Sequence, residues 1–269
     1  MRIYLGTCGN RVGLEKYLEL FNALEINATF YRFPPEKTLR RWERVFRSRE
    51  GFGLSLKVFQ GLTHPVSSPT WRRAGLAPEE RERLRNLAGC LRLNPATEEF
   101  LERTIALTGR LSARFLLFQL PRVCAGEAEG FFAFFVRLRE LLPPGTRAGL
   151  EIRWEDPGLL EDLFHRFGVI PVFDPLLFPG LLERFRNLPF LYFRLHGERK
   201  GGRLDYRKNY TNEELKRLAD LVFGLEAEEV WILFNNIPMH ENALRFREKF
   251  VITRATYAKR SSQSPSADR

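Results

Sequence analysis

Eight short runs of β-forming residues recur along this 269-residue chain, each separated from the next by a stretch with helical periodicity. The runs are Arg2–Thr7, Ala23–Thr29, Gly53–Lys57, Ala113–Gln119, Ala148–Arg153, Val169–Asp174, Phe190–His196 and Glu229–Asn235. Parallel strands cannot be joined by a tight turn, so a strand–helix–strand rhythm implies crossover connections and a parallel sheet covered by helices. Eight such units, in a chain close to the roughly 250 residues of a closed α/β barrel, predict a TIM-barrel-like (β/α)8 fold. Among the intervening segments, Glu36–Arg49 carries Leu39, Trp42, Val45 and Phe46 at helical spacing. Leu159–Phe167 and Asn212–Phe223 read the same way, and Thr211 or Asn212 offers a cap to the latter. With 44% hydrophobic residues the chain can fill such a barrel, and 24 Phe argue for thick packing layers.

Residues 1–256 are expected to form a single domain, followed by a polar, disordered tail at 257–269. Two connections exceed what a βα unit needs. Gln60–Ser112 is a long β3–β4 connection with helical patterns of its own at Pro78–Leu91 and Thr97–Leu107. Gly197–Thr211, rich in Gly, Arg, Lys and Tyr, reads as a functional loop. Cys8, Cys90 and Cys124 are scattered and odd in number. They match no metal spacing and no disulfide framework, which points to a reducing compartment. The strand pattern begins at Arg2 without a signal-peptide core, and no apolar run approaches a membrane span. A cytoplasmic protein without a membrane partner is therefore expected.

Strand after strand ends on polar groups: Thr7; Glu25, Asn27 and Thr29; Lys57; Gln119; Glu151 and Arg153; Asp174; Arg194 and His196; Asn235 and Asn236. In a parallel barrel these ends converge on one rim, where this architecture builds its sites, and they are expected to share one cavity. Isolated ions are costly to bury, so the groups must meet one another, water or a ligand. Glu25, Glu151, Asp174 and His196 are the candidate catalytic residues. Thr7, Asn27, Thr29, Lys57, His64, Gln119, Arg153, Arg194, Tyr206, Tyr210, Asn235 and Asn236 are the candidate substrate contacts. The carboxylates are expected to crowd one another, as an acid/base pair or as ligands of a divalent metal with His196 or His64. The alternative is that Lys57, Arg153 and Arg194 simply neutralise them. Whether a metal or other cofactor is used stays open.

The residues also carry a resemblance. Leu5-Gly6-Thr7-Cys8-Gly9, Phe21-Asn22-Ala23-Leu24-Glu25-Ile26-Asn27-Ala28-Thr29-Phe30-Tyr31-Arg32, Lys57 with Thr63-His64, Phe118-Gln119-Leu120-Pro121, Glu151-x-Arg153, Asp174, Arg194-Leu195-His196-Gly197 and Phe234-Asn235-Asn236 occur in the order seen in the YecE-like family, the domain of unknown function 72. The chain resembles that family to about residue 245. It departs at Cys8 for Ser, at Asn10 for Trp, and at Trp154, which directly follows Arg153. The resemblance implies a barrel fold and marks these positions as a site, without assigning a reaction.

The net charge of +10 invites a polyanionic partner. Arg199, Lys200, Arg203, Arg207 and Lys208 interleave with Tyr206 and Tyr210, a mixture suited to phosphates and exposed bases. Phosphate-loop, dinucleotide-binding, zinc-protease and nucleophile-elbow motifs are absent from the sequence. The leading expectation is a hydrolase acting on a phosphate-containing substrate, with single-stranded nucleic acid foremost. A sugar-phosphate or other small-metabolite enzyme and a non-catalytic nucleic-acid-binding protein are the alternatives. The oligomeric state is not legible.

Overall fold

The computed structural model describes residues 1–252. Its barrel strands are β1 (Arg2–Cys8), β2 (Ala23–Ile26), β3 (Gly53–Lys57), β4 (Phe115–Leu120), β5 (Arg147–Ile152), β6 (Ile170–Phe173), β7 (Phe190–Leu195) and β8 (Glu229–Phe234). All pair in parallel, and β1 closes the ring by pairing with both β2 and β8. The principal helices are α1 (Leu14–Leu20), α2 (Glu36–Arg47), α3 (Pro95–Leu111), α4 (Ala128–Leu141), α5 (Pro157–Phe167), α6 (Pro179–Phe185), α7 (Asn212–Phe223) and α8 (Met239–Phe246). The TIM-barrel-like expectation is met. Helix starts follow local chemistry: Asp156 caps α5, and Thr211 forms a capping box with Glu214 on α7.

Strand alternation divides the apolar residues into two cores. Outward residues pack against the helices, as where Phe118 meets Phe134 and Phe135 of α4. Inward residues at the N-terminal half of the barrel form an aromatic layer. Tyr4 stacks on Trp231 at 4.9 Å between ring centroids, Phe115 on Tyr192 at 4.2 Å, and Tyr192 on Trp231 at 5.6 Å. Gly53 makes room for it, since a Cβ there would lie 2.5 Å from the Tyr4 ring and 2.9 Å from Trp231. The numerous aromatic residues are thus used both inside and outside the sheet.

Some boundaries differ from the sequence reading. The run Ala23–Thr29 stops as a strand at Ile26, and Ala28–Tyr31 is a helical turn. Of Pro78–Leu91 only Pro78–Arg83 is α-helical; Cys90 and Leu91 adopt left-handed φ values of 51° and 53°, which end regular structure. The long connection is nevertheless packed, around its own cluster of Phe59, Val66, Trp71, Ala74, Leu84 and Ala88. The loop Gly197–Thr211 contains a two-stranded hairpin, Glu198–Lys200 with Arg203–Asp205, turned by Gly201 and Gly202, both at positive φ. The tail 257–269 lies outside the described residues.

The cysteine reading is corrected. Cys90 and Cys124 form a disulfide, leaving Cys8 free and buried. Cys90 sits in the loop beyond β3 and Cys124 just beyond β4. Neighbouring strands therefore bring residues 34 apart in sequence to a Cα separation of 5.2 Å. The argument for a reducing compartment loses its premise. Among the described residues no helix is long and apolar enough to cross a membrane.

Closing a loop of this length stabilises a fold by about 2–4 kcal/mol. Cys90→Ser is therefore expected to lower unfolding free energy by that amount under non-reducing conditions, measured in urea. Alkylation of the denatured, unreduced protein should add one label, on Cys8; labels on Cys90 or Cys124 would contradict the pairing.

Candidate active site

The strand register decides which polar groups enter the barrel. Side chains alternate faces along a strand, and the inward phase fixed by Tyr4, Ala23, Phe115, Leu117, Val172, Tyr192 and Trp231 continues through Glu25, Lys57, Gln119, Glu151, Arg153, Asp174, Arg194, His196 and Asn235. A polar layer therefore lies directly above the aromatic one. At their junction the Tyr192 hydroxyl donates to Glu25 Oε2 at 2.9 Å and lies 3.0 Å from Ser55 Oγ.

The centre of this layer is Arg194, 1% exposed, facing Glu25, 0% exposed. Its Nε and Nη2 donate to the two Glu25 oxygens at 3.0 and 2.7 Å, and its Nη1 donates to Glu151 Oε2 at 2.5 Å. The other Glu151 oxygen lies 2.8 Å from Arg153 Nη2. Charges thus alternate Glu25, Arg194, Glu151, Arg153. Burial alone would raise the Glu151 pKa, but the Arg153 and Arg194 charges outweigh it and hold the carboxyl well below the usual range. The Arg194 guanidinium is held above its ordinary value because Glu25 and Glu151 overcome its desolvation. The expectation of crowded, mutually repelling acids is corrected here: arginines stand between the carboxylates.

His196 occupies the upper edge. Its Nε2 lies 3.3 Å from Arg153 Nη2 and 3.5 Å from Arg194 Nη1. Guanidinium groups only donate and a carboxylate only accepts, and Glu151 Oε1 is 3.5 Å from the same nitrogen, so Nε2 meets donors and an acceptor together, while the second ring nitrogen is Nδ1. That nitrogen is buried and makes no hydrogen bond among the described residues; Asp174 Oδ2 is 3.8 Å away. Burial, assisted by Arg153 and Arg194 against the pull of Glu151, lowers the His196 pKa and keeps the imidazole neutral. Asp174 itself accepts from the His196 backbone N–H at 2.7 Å and from Leu176 and Leu177 N–H at 3.0 and 3.3 Å, tying β6 to β7. Tyr206 of the hairpin loop accepts from Arg153 at 3.4 Å and meets His196 edge to face.

These groups floor a cleft of about 980 Å³ between the hairpin and the loops after β5 and β6. Glu151, Arg153, Asp174 and His196 line it with Arg199 of the basic loop, and with Arg122, Trp154 and Phe178, which sequence reasoning did not assign. Trp154 was visible only as a departure from the family pattern, and Arg122, which opens a 3-10 turn, and Phe178, just before α6, have no periodicity to mark their direction. Glu25 is sealed beneath Arg194 and does not reach the cleft. The single shared cavity expected for all strand ends is therefore divided.

Lys57 stands on the other side of the mouth. Its Nζ donates to Gln119 Oε1 at 3.1 Å and lies 3.9 Å above the Phe30 ring; among the described residues no carboxylate is within 4.0 Å. Burial and the neighbouring Arg194 charge lower its pKa to about 7, with Glu25 and Glu151 opposing. His64 packs edge to face on Phe30 and its Nδ1 lies 2.9 Å from Thr63 Oγ1; burial and the Lys57 charge lower its pKa to about 3. Asn27 donates to the Cys8 carbonyl at 3.1 Å, leaving its buried Oδ1 without a partner among the described residues. Asn235 lies half-buried in the inward phase.

Four expected ligand contacts are engaged elsewhere. Thr7 is out of phase, and its Oγ1 bonds the Gly9 carbonyl and the Tyr17 hydroxyl of α1. Thr29 donates within the helical turn after β2, toward the Ile26 and Lys57 carbonyls, clamping β2 to β3. Tyr210 is buried against Phe234, with its hydroxyl on the Gly197 backbone. Asn236 is likewise out of phase and donates to the Lys208 carbonyl. Three of the five cations of the basic loop are ion-paired, Lys200 with Glu198, Arg207 with Asp205 and Lys208 with Glu214 of α7, while Arg199 lies over the Phe178 ring. Among the described residues no group of three or more His, Cys, Asp or Glu converges to hold a metal. Of the acids expected to hold a divalent ion, Glu25 and Glu151 are bound by arginines and Asp174 by backbone N–H groups.

Fold and site together define an eight-stranded β/α barrel with an ion-paired layer beneath an open mouth. The chain belongs to the family described as "Protein of unknown function DUF72", whose pattern it matches over residues 2–267. No curated protein matches it. A solved DUF72 family protein from Enterococcus faecalis is 21% identical over 93% of this chain and 97% of that one, with a TM-score of 0.60. A D-tagatose 3-epimerase-like protein is 15% identical over 98% and 100%, with a TM-score of 0.55. Endonuclease IV from Thermus thermophilus is 12% identical over 94% and 100%, with a TM-score of 0.54. At these identities the structural likenesses establish the fold.

Removing one member of a buried ion pair typically costs about 3–5 kcal/mol. Arg194→Met should lose that much stability in urea unfolding, and Arg194→Met with Glu25→Gln should recover part of it. A loss below about 1 kcal/mol would show the network to be dispensable. For Lys57, native and unfolded chains both hold the proton below pH 7. Between about 7 and 10.5 only the unfolded chain keeps it, so this group makes stability rise with pH across that window. Lys57→Met should reduce the gain in urea midpoint measured between pH 7 and pH 9.5.

Proposed function

We propose that this barrel is an enzyme for a small phosphate-bearing metabolite, of the sugar-phosphate kind, bound in the cleft above Glu151, Arg153, Asp174 and His196. The observation carrying this reading is Arg153. Its guanidinium is partly exposed at the cleft floor, and it touches the neutral imidazole of His196. Arg offers a planar fork for a phosphate, and Arg122 and Arg199 line the same cleft. Glu151 keeps its bond to Arg194 when Arg153 turns toward a ligand. His196, kept neutral, then serves as the proton acceptor beside the bound group. A cleft of this size suits a small ligand.

Hydrolysis of single-stranded nucleic acid is the second reading, favoured by the net charge of +10. It is weakened by the ion pairs of Lys200, Arg207 and Lys208 with Glu198, Asp205 and Glu214, which engage three of the five cations that would meet a polyanion. Calorimetric titration separates the two. Glucose 6-phosphate or ribose 5-phosphate should bind, with affinity reduced at least tenfold by Arg153→Gln and little changed by Lys200→Gln with Arg207→Gln. Binding of a short single-stranded oligonucleotide that weakens steeply with salt and depends on the loop cations, with no sugar-phosphate binding, would overturn the small-metabolite reading.

A further inference from the structure

We infer that Lys57 is an amine nucleophile that condenses with the carbonyl group of an open-chain aldehyde or ketone phosphate held at the barrel mouth. This deepens the proposed function and rests on it for the phosphate, since it names the substrate class as carbonyl-bearing.

The placement of the amine carries the inference. Lys16 and Lys216, by contrast, are exposed and ion-paired with Glu19 and Asp220. Lys57 instead comes from the C-terminal end of β3, in the inward phase, and remains partly open to solvent. Its contacts are an amide oxygen and an aromatic face. Neither holds the ammonium form as a carboxylate would, and Gln119 accepts a hydrogen bond from a neutral amine equally well. The charged groups around it are Arg194, Arg153, Glu25 and Glu151, with His64 on the side of the β3–α3 connection. The nearby carboxylates are bound by arginines. Desolvation next to a cation is a recognised way to free a lysine lone pair near neutral pH, consistent with a pKa of about 7 here.

Register gives the distance to the phosphate side. Lys57 bonds Gln119 on β4, and Gln119 is in register with Glu151 on β5, two residues before Arg153. Adjacent strands are about 4.8 Å apart, so β3 and β5 are two strand spacings apart, and the inferred substrate would bridge the two sides of the mouth from Arg153 to Lys57. The step balances without a further reagent. The Nζ lone pair adds to the carbonyl carbon, forming a C–N bond. The oxygen then leaves as water, carrying both nitrogen protons and giving a neutral imine. Protonation of that imine yields the electron-poor iminium.

Reductive trapping tests this on the intact protein at pH 7. Dihydroxyacetone phosphate or glycolaldehyde phosphate is added with sodium cyanoborohydride, and labelled lysines are quantified by peptide mass spectrometry. Lys57 should be labelled at least about tenfold faster than Lys16 and Lys216 at pH 7, and its own rate should fall at pH 5.5, where the amine is protonated. Equal rates at all three lysines would overturn the inference. Calorimetry with glycerol 3-phosphate, which lacks a carbonyl, keeps the two readings apart. Phosphate binding lost in Arg153→Gln but without selective trapping removes the nucleophile alone. Selective trapping by unphosphorylated glycolaldehyde, with no phosphate binding, removes the phosphate reading alone.

Discussion

A guanidinium ion placed inside a closed barrel must be neutralised from more than one side, and the upper half of this protein is organised around meeting that demand for Arg194. Glu25 chelates it from β2, Glu151 from β5, and Tyr192 holds Glu25 from below. Three strands distant in sequence are thereby fixed relative to one another by directional bonds. Hydrophobic packing would not specify those relative positions so narrowly. Arg153 and His196 inherit their positions from this frame. The site groups consequently stand on strands, and the surrounding loops shape only the walls.

Most of the fold was legible because it depends on periodicity. Strand–helix alternation marked all eight strands, and the capping chemistry at Thr211 marked α7 to its first residue. The acids and bases of the polar layer were legible as strand ends. What their positions did not convey was partner choice: Glu25 and Glu151 are separated by an arginine, which requires knowing how strands β2, β5 and β7 face one another. Thr7 and Asn236 were assigned to the mouth by position alone, whereas their phase relative to Cys8 and Asn235 turns them outward. Tyr210 was grouped with its charged neighbours, yet its pairing with Phe234 is a contact between segments that no local pattern records. The pairing of Cys90 with Cys124 was missed for the same reason.

The surplus of positive charge also takes on a different meaning in three dimensions. Many arginines are engaged by named partners: Arg110 bridges Glu36 and Glu43, Arg92 meets Glu127, and Arg114 binds Glu229 while covering Tyr4. Such pairs at the surface contribute little individually. They nevertheless show that a count of charges along the chain overstates the cations free to meet a ligand. The groups that remain informative are those whose partners are incomplete, His196 and Lys57 above all.

The aromatic layer of Tyr4, Phe115, Tyr192 and Trp231 has a consequence for traffic. It plugs the barrel axis, so the space above it is a well with a single door. Whatever enters at the mouth must leave by the same route, so in the proposed enzyme a product would occupy the place of the next substrate. Inhibition by product would then be competitive, and the rate of turnover would be sensitive to how readily the hairpin wall yields rather than to any passage through the barrel.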